Sequence, residues 1–219
     1  MIRTAWLVAR KDLRIEMRSR VLLWQVTPFA VLALVLAGLA LGPTKAGSSS
    51  SAPGLFYLVV LFVALAVVQR SRGIESTPGT RASVSTLGLD PGGVFLGKAL
   101  ALTLELWVLG AILLAGSVLF LHVALVGALK ALPSVAVTLG VMSTAGTIYG
   151  ALTTGGDGPV TLLPLLTLPA FAPLLVAGER SLSAALYGGA LWEWWVIVVV
   201  ALVAYVAVGI AVYGVLEES

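Results

Sequence analysis

QRSRGIESTPGTRASVSTLGLDPGGVFLGK, residues 69–98, lies between two long apolar runs and carries Arg70, Arg72, Arg81 and Lys98. The chain around it is very apolar: of 219 residues, 59% are hydrophobic and 11% are charged, and mean hydropathy is +1.07. Soluble domains carry roughly 25% charged residues, so this balance belongs to a membrane protein. The polar stretch then reads as a connection between membrane spans, and its charge sets the direction in which they run.

Six runs are long and apolar enough to cross a hydrocarbon core as helices, which takes roughly 20 residues. They cover about 21–41, 54–69, 99–121, 132–152, 159–178 and 194–216. The second is short in strictly apolar terms and is expected to start earlier or to run past Gln69. The expected fold is all-α, a polytopic membrane protein with six transmembrane helices in a single domain over residues 1–219.

Residues 1–20 hold six Lys and Arg and the 69–98 stretch holds four, whereas the alternate connections hold three: Lys45, Lys130 and Arg180. The positive-inside bias therefore predicts that both termini and residues 70–98 are cytoplasmic. A cleavable signal peptide is not expected, because the charged lead is long and the first apolar run has the length of a span. With no Cys, disulfides, thiolate metal sites and thiol redox chemistry are excluded. A net charge of +3 gives no case for nucleic-acid binding.

In MIRTAWLVARKDLRIEMRSR, residues 1–20, Ile2, Trp6, Ala9, Leu13 and Met17 share one helical face. Arg3, Arg10, Lys11, Arg14 and Arg18 occupy a neighbouring face, and Glu16 precedes Arg20 at the favourable ion-pair spacing. The spacing predicts an interfacial helix with Trp6 at headgroup level. It reads either as a positive anchor for the first span or as a helix that also braces a partner.

Elsewhere the polar candidates are sparse. Glu105 is the one acidic residue well inside an expected span and reads either as a buried structural partner or as part of a translocation path. His122, the single histidine, stands near the outer end of the third span, where it is either a boundary residue or an axial haem ligand. Trp192, Trp194 and Trp195 flank Glu193 before the last span, as an outer aromatic belt or as a surface for an aromatic ligand or partner. Pro164, Pro169 and Pro173 predict a kinked fifth helix buried against protein. Gly146 and Gly150 form a small-x-x-x-small packing pattern.

GGVFLGKA, residues 92–99, imitates a phosphate-binding loop, but Ala99 stands where the magnesium-binding hydroxyl belongs and a membrane span follows. No catalytic set and no metal-ligand spacing is visible, so the chain is not expected to be an enzyme by itself. Any ATP and magnesium would be bound by another chain.

The order of features, a basic amphipathic lead, two spans, a long cytoplasmic loop and a Pro-rich fifth span, resembles CcmB, the haem exporter protein B family. In the loop, Arg70, Glu75, Gly79, Thr80 and Lys98 fall on the family pattern, and LPAFAPLL at 168–175 resembles its fifth span. The family's acidic loop position, often Asp, is Glu75 here, and Arg81 and Ala82 depart from the family pattern. The resemblance implies an ABC-2 exporter-like permease of cytochrome c maturation, with a CcmA-like ATPase and CcmC- and CcmD-like membrane proteins as partners. It implies a short coupling helix within Thr80 to Leu89, with Val84 and Leu87 as its apolar knobs. The complex would export haem or release the haem-loaded chaperone CcmE, so haem is a handled ligand and not a resident cofactor. The second membrane half would be a CcmC-like protein or another copy of this chain. An ABC-2 exporter for a lipid or drug, or a scaffold that transports nothing, are the competing readings.

Overall fold

The structure, a computed structural model, describes residues 1–41, 45–75, 90–153 and 162–218. Among these residues there are helices and no strands. In chain order they are α1 (Ile2–Ser19), a π-helical turn (Leu22–Val26), α2 (Thr27–Leu41), α3 (Lys45–Glu75), α4 (Pro91–Phe120), α5 (Leu125–Leu152), α6 (Leu162–Tyr187) and α7 (Leu191–Glu218). Helices α3 to α7 each contain a segment long and apolar enough to span a bilayer. A sixth span is reached by counting α1 with the run after it as one broken span, bent by 54°.

The helices are longer than their apolar cores. The second span continues past Gln69 to Glu75, as its short apolar run required, and α6 runs through Glu179 and Arg180 to Tyr187. Residues 91–98, expected in the loop, instead form the first two turns of α4. The reason is local. Asp90 has extended backbone and its carboxylate accepts from the Gly93 N–H at 2.9 Å, while Pro91 occupies the first helical position, where its missing donor costs nothing. What reads as a turn is a capped helix start.

Helix α5 is the axis of the bundle. Every residue from Thr138 to Ile148 is buried, about three turns closed on all sides. Thr138, Ser143, Thr144 and Thr147 donate to carbonyls three or four residues back at 2.8–2.9 Å, and Ser143 Oγ also reaches Thr103 Oγ1 and the Ala99 carbonyl of α4. Gly146 lets α3 close in, since a Cβ there would stand 2.5 Å from Val68 Cγ2, whereas Gly150 faces open space. The small-x-x-x-small pair is thus half used. Helix α7 is the opposite case. Only 11% of its spanning segment is buried, against 61% for α3, so its Val and Ile side chains face the surroundings, as a lipid-facing helix requires.

Helix α6 packs most extensively against α5 and stays helical through Pro169 and Pro173, with Pro164 in its first turn. Phe171, Leu174 and Leu182 fill the core from its inner side. At its end Gly188, with φ +86°, takes the left-handed conformation that closes the helix, its N–H reaching the Ala184 carbonyl at 3.0 Å.

Candidate functional site

The N terminus, Arg70 and Lys98 lie at one end of the bundle, called here the basic end. The starting point is α1, whose inward face is not its most apolar one. Ala5, Val8, Ala9 and Glu16 are buried, while Ile2, Trp6 and Met17 are exposed. Small residues face α4 because α4 presents glycines there. A Cβ on Gly97 would stand 2.6 Å from the Ala5 carbonyl oxygen and 2.7 Å from Val8 Cβ, and one on Gly93 would stand 2.9 Å from Thr4 Cβ. The glycines of the loop-like GGVFLGK segment therefore seat a helix, and Val94 and Phe95 between them are buried in the core.

Glu16 is 8% exposed, an uncommon state for a carboxylate unless it is paired. Both of its oxygens are engaged. Oε1 accepts from the Leu22 N–H at 2.8 Å, capping the start of the π-helical turn, and Oε2 forms an ion pair with Arg70 Nη1. Arg70 Nη2 donates to Ser19 Oγ at 2.8 Å, and that hydroxyl donates to the Glu16 carbonyl at 3.0 Å. The ring Glu16–Arg70–Ser19 locks α3 to the corner where α1 bends into α2. The expected helical partner of Glu16, Arg20, does something else: it takes left-handed backbone (φ 56°, ψ 16°) and ends α1. That turn carries the chain away and leaves Glu16 to Arg70.

Glu105, on α4, is half-buried, and the charged groups acting on it are Glu16, Arg70 and Asp12. The other edge of the former loop is anchored as well. Lys98 Nζ donates to Tyr213 Oη at 2.7 Å and stands 5.3 Å from that ring's centroid, tying α4 to α7. Phe95 packs against the same ring, with centroids 5.5 Å apart. A cavity of about 20 Å³, water-sized, lies beside Lys98, Val68, Ser71 and Gly146.

The remaining expected residues are dispersed. Arg72 and Glu75 fall in the last turns of α3. Gly79, Thr80, Arg81, Val84 and Leu87 lie outside the described residues. Arg10, Arg14 and Arg18 are exposed on α1. His122 is at the opposite end, exposed in the turn after α4 with φ 55°. Histidine is one of the few residues with some tolerance for that region, and here the Val123 N–H reaches back to the Ser117 carbonyl at 3.3 Å, as after many helix ends. Trp192 is exposed, Trp194 packs against the core, and Trp195 Nε1 donates to Ser134 Oγ at 2.7 Å.

Sequence reading missed Glu16 and Ser19 as site residues. The available signal was weak: Glu16 is one of two acids, with Asp12, amid six cations in residues 1–20. No curated protein matches the chain. Residues 3–215, nearly the whole chain, match the family model described as CcmB protein. The chain therefore belongs to the CcmB protein family.

Proposed function

We propose that this chain is the force-receiving permease of a cytochrome c maturation complex, driven by a separate CcmA-like ATPase that docks on residues 76–89. Family membership carries the coarse part: the chain is a membrane-embedded permease component of a haem exporter, not itself an enzyme. The single observation that supports the coupling reading is the anchoring of both edges of the 70–98 stretch. Arg70 on one side is locked to α1 by Glu16, and Lys98 on the other is bonded to Tyr213 of α7. A push delivered between those edges reaches α1, α3, α4 and α7 at once.

In this reading the basic end is cytoplasmic, which suits its six Lys and Arg in residues 1–20. CcmC- and CcmD-like proteins are the membrane partners, with a CcmC-like chain or a second copy supplying the other half. The outward face of α7 suits such a neighbour or lipid. Release of a haem-loaded CcmE-like chaperone is favoured over passage of haem through this chain. Helix α5 supports that choice, because its buried hydroxyls bond to their own helix or, for Ser143, to Thr103 and the Ala99 carbonyl of α4, and the cavity beside Thr147 is only water-sized, about 20 Å³.

Deleting the gene and assaying covalent haem on c-type cytochromes tests the reading. Loss of haem attachment, restored by the wild-type chain, is expected; normal c-type cytochromes would point to an exporter of another substrate.

A further inference from the structure

Where α1 leaves its glycine seat on α4, the two helices part and enclose a groove of about 690 Å³. Its floor is one stripe of α4, Leu100, Thr103, Leu104 and Trp107, with the Leu and Trp side chains exposed. Trp6, Leu13 and Met17 of α1 form the facing wall. Arg10, Arg14 and Arg18 line the same groove, one helical turn apart, and all three are exposed. Among the described residues none of these guanidinium groups is in an ion pair, whereas the buried face of the same helix spends Glu16 on Arg70.

An occupant must therefore be apolar along its length and anionic at one end. The floor belongs to a membrane-spanning helix, so the groove opens toward the bilayer. A soluble anion would leave the floor exposed, and a neutral lipid would leave the arginine row unmatched. Guanidinium groups match a phosphate in planar, bidentate fashion. Basic rows on amphipathic helices attract anionic lipid headgroups. We propose that this groove binds one anionic phospholipid, its phosphate held by Arg10, Arg14 and Arg18 and an acyl chain laid along Leu100, Leu104 and Trp107. The lipid would brace α1 from the face opposite the latch. This inference is independent of the ATPase reading.

The test is native mass spectrometry of the purified full chain, offered phosphatidylglycerol or phosphatidylcholine of equal chain length. One retained phosphatidylglycerol, favoured over phosphatidylcholine by roughly tenfold, is expected. The combined R10Q/R14Q/R18Q variant should lose the preference. L100W, which adds bulk at an exposed position of the floor, should lose binding of both lipids while circular dichroism and thermal unfolding stay as in wild type. R3Q/K11Q, which alters cations outside the groove, should keep the preference. Equal binding of the two lipids by wild type would overturn the proposal. So would a preference that survives R10Q/R14Q/R18Q, one lost equally in R3Q/K11Q, or displacement of the lipid by stoichiometric haemin with a shifted Soret band.

Discussion

Arg70, near the end of the second membrane helix, is held by Glu16 of the N-terminal helix, and the same carboxylate caps the Leu22 N–H across the bend. One side chain thus fixes both the angle of the bend and the position of the helix that leads into residues 76–89.

The two functions of Glu16 separate by substitution. Glu16→Gln removes the charge and leaves an oxygen for Leu22, whereas Glu16→Ala removes both and strands a largely buried guanidinium. Unfolding of the purified protein in detergent should show Glu16→Ala as the more damaging, by about 3 kcal/mol, with Glu16→Gln intermediate. The exchanged pair Glu16→Arg with Arg70→Glu should recover part of the loss. Equal effects of Gln and Ala would mean that the Leu22 bond contributes nothing.

The seat of α1 on α4 predicts a contrast between glycines. Gly97→Val forces α1 off, because even a Cβ there meets the Ala5 carbonyl oxygen at 2.6 Å. A stability loss of about 1–3 kcal/mol and new protease cleavage within residues 1–20 are expected. Gly150→Ala, with nothing within 4 Å of the added carbon, should be neutral or stabilising by up to about 1 kcal/mol. Limited proteolysis of both variants in detergent decides the matter.

For His122 the backbone makes a prediction opposite to haem ligation. At φ 55° glycine is the less strained residue, so His122→Gly should leave stability unchanged or raise it by about 1 kcal/mol, and cytochrome maturation should continue. His122→Val should be destabilising. Loss of covalent haem attachment in a stable His122→Gly chain would restore the axial-ligand reading.

Particular residues show what sequence alone makes visible here. Apolar run length gave the order of the membrane helices and, with the bent first pair counted as one span, their number, because in a bilayer backbone groups must be bonded internally and a span-length apolar run has few alternatives to a helix. It misjudged their ends. Hydropathy falls at Glu179, yet α6 continues to Tyr187, since a helix needs no apolar residue once it has left the hydrocarbon. Asp90-Pro91 was ambiguous for a physical reason: Asp and Pro serve turns and helix starts alike. The pattern also misassigned the packed face of α1. The large apolar residues Ile2, Trp6 and Met17 dominate a helical wheel, but close approach to Gly93 and Gly97 selects Ala5, Val8 and Ala9. The latch was out of reach because 51 positions separate Arg70 from Ser19, and only the fold brings them together.

The central claim, that residues 76–89 receive a motor between two anchored helices, is tested most directly by replacing that segment with a Gly/Ser linker of equal length. The variant is expressed in a strain lacking the native chain, its membrane level is matched to wild type, and two readouts are taken together: co-purification of the cytoplasmic ATPase and covalent haem on c-type cytochromes. Loss of both is the predicted result. An ATPase that still co-purifies, with cytochromes fully matured, would contradict the account.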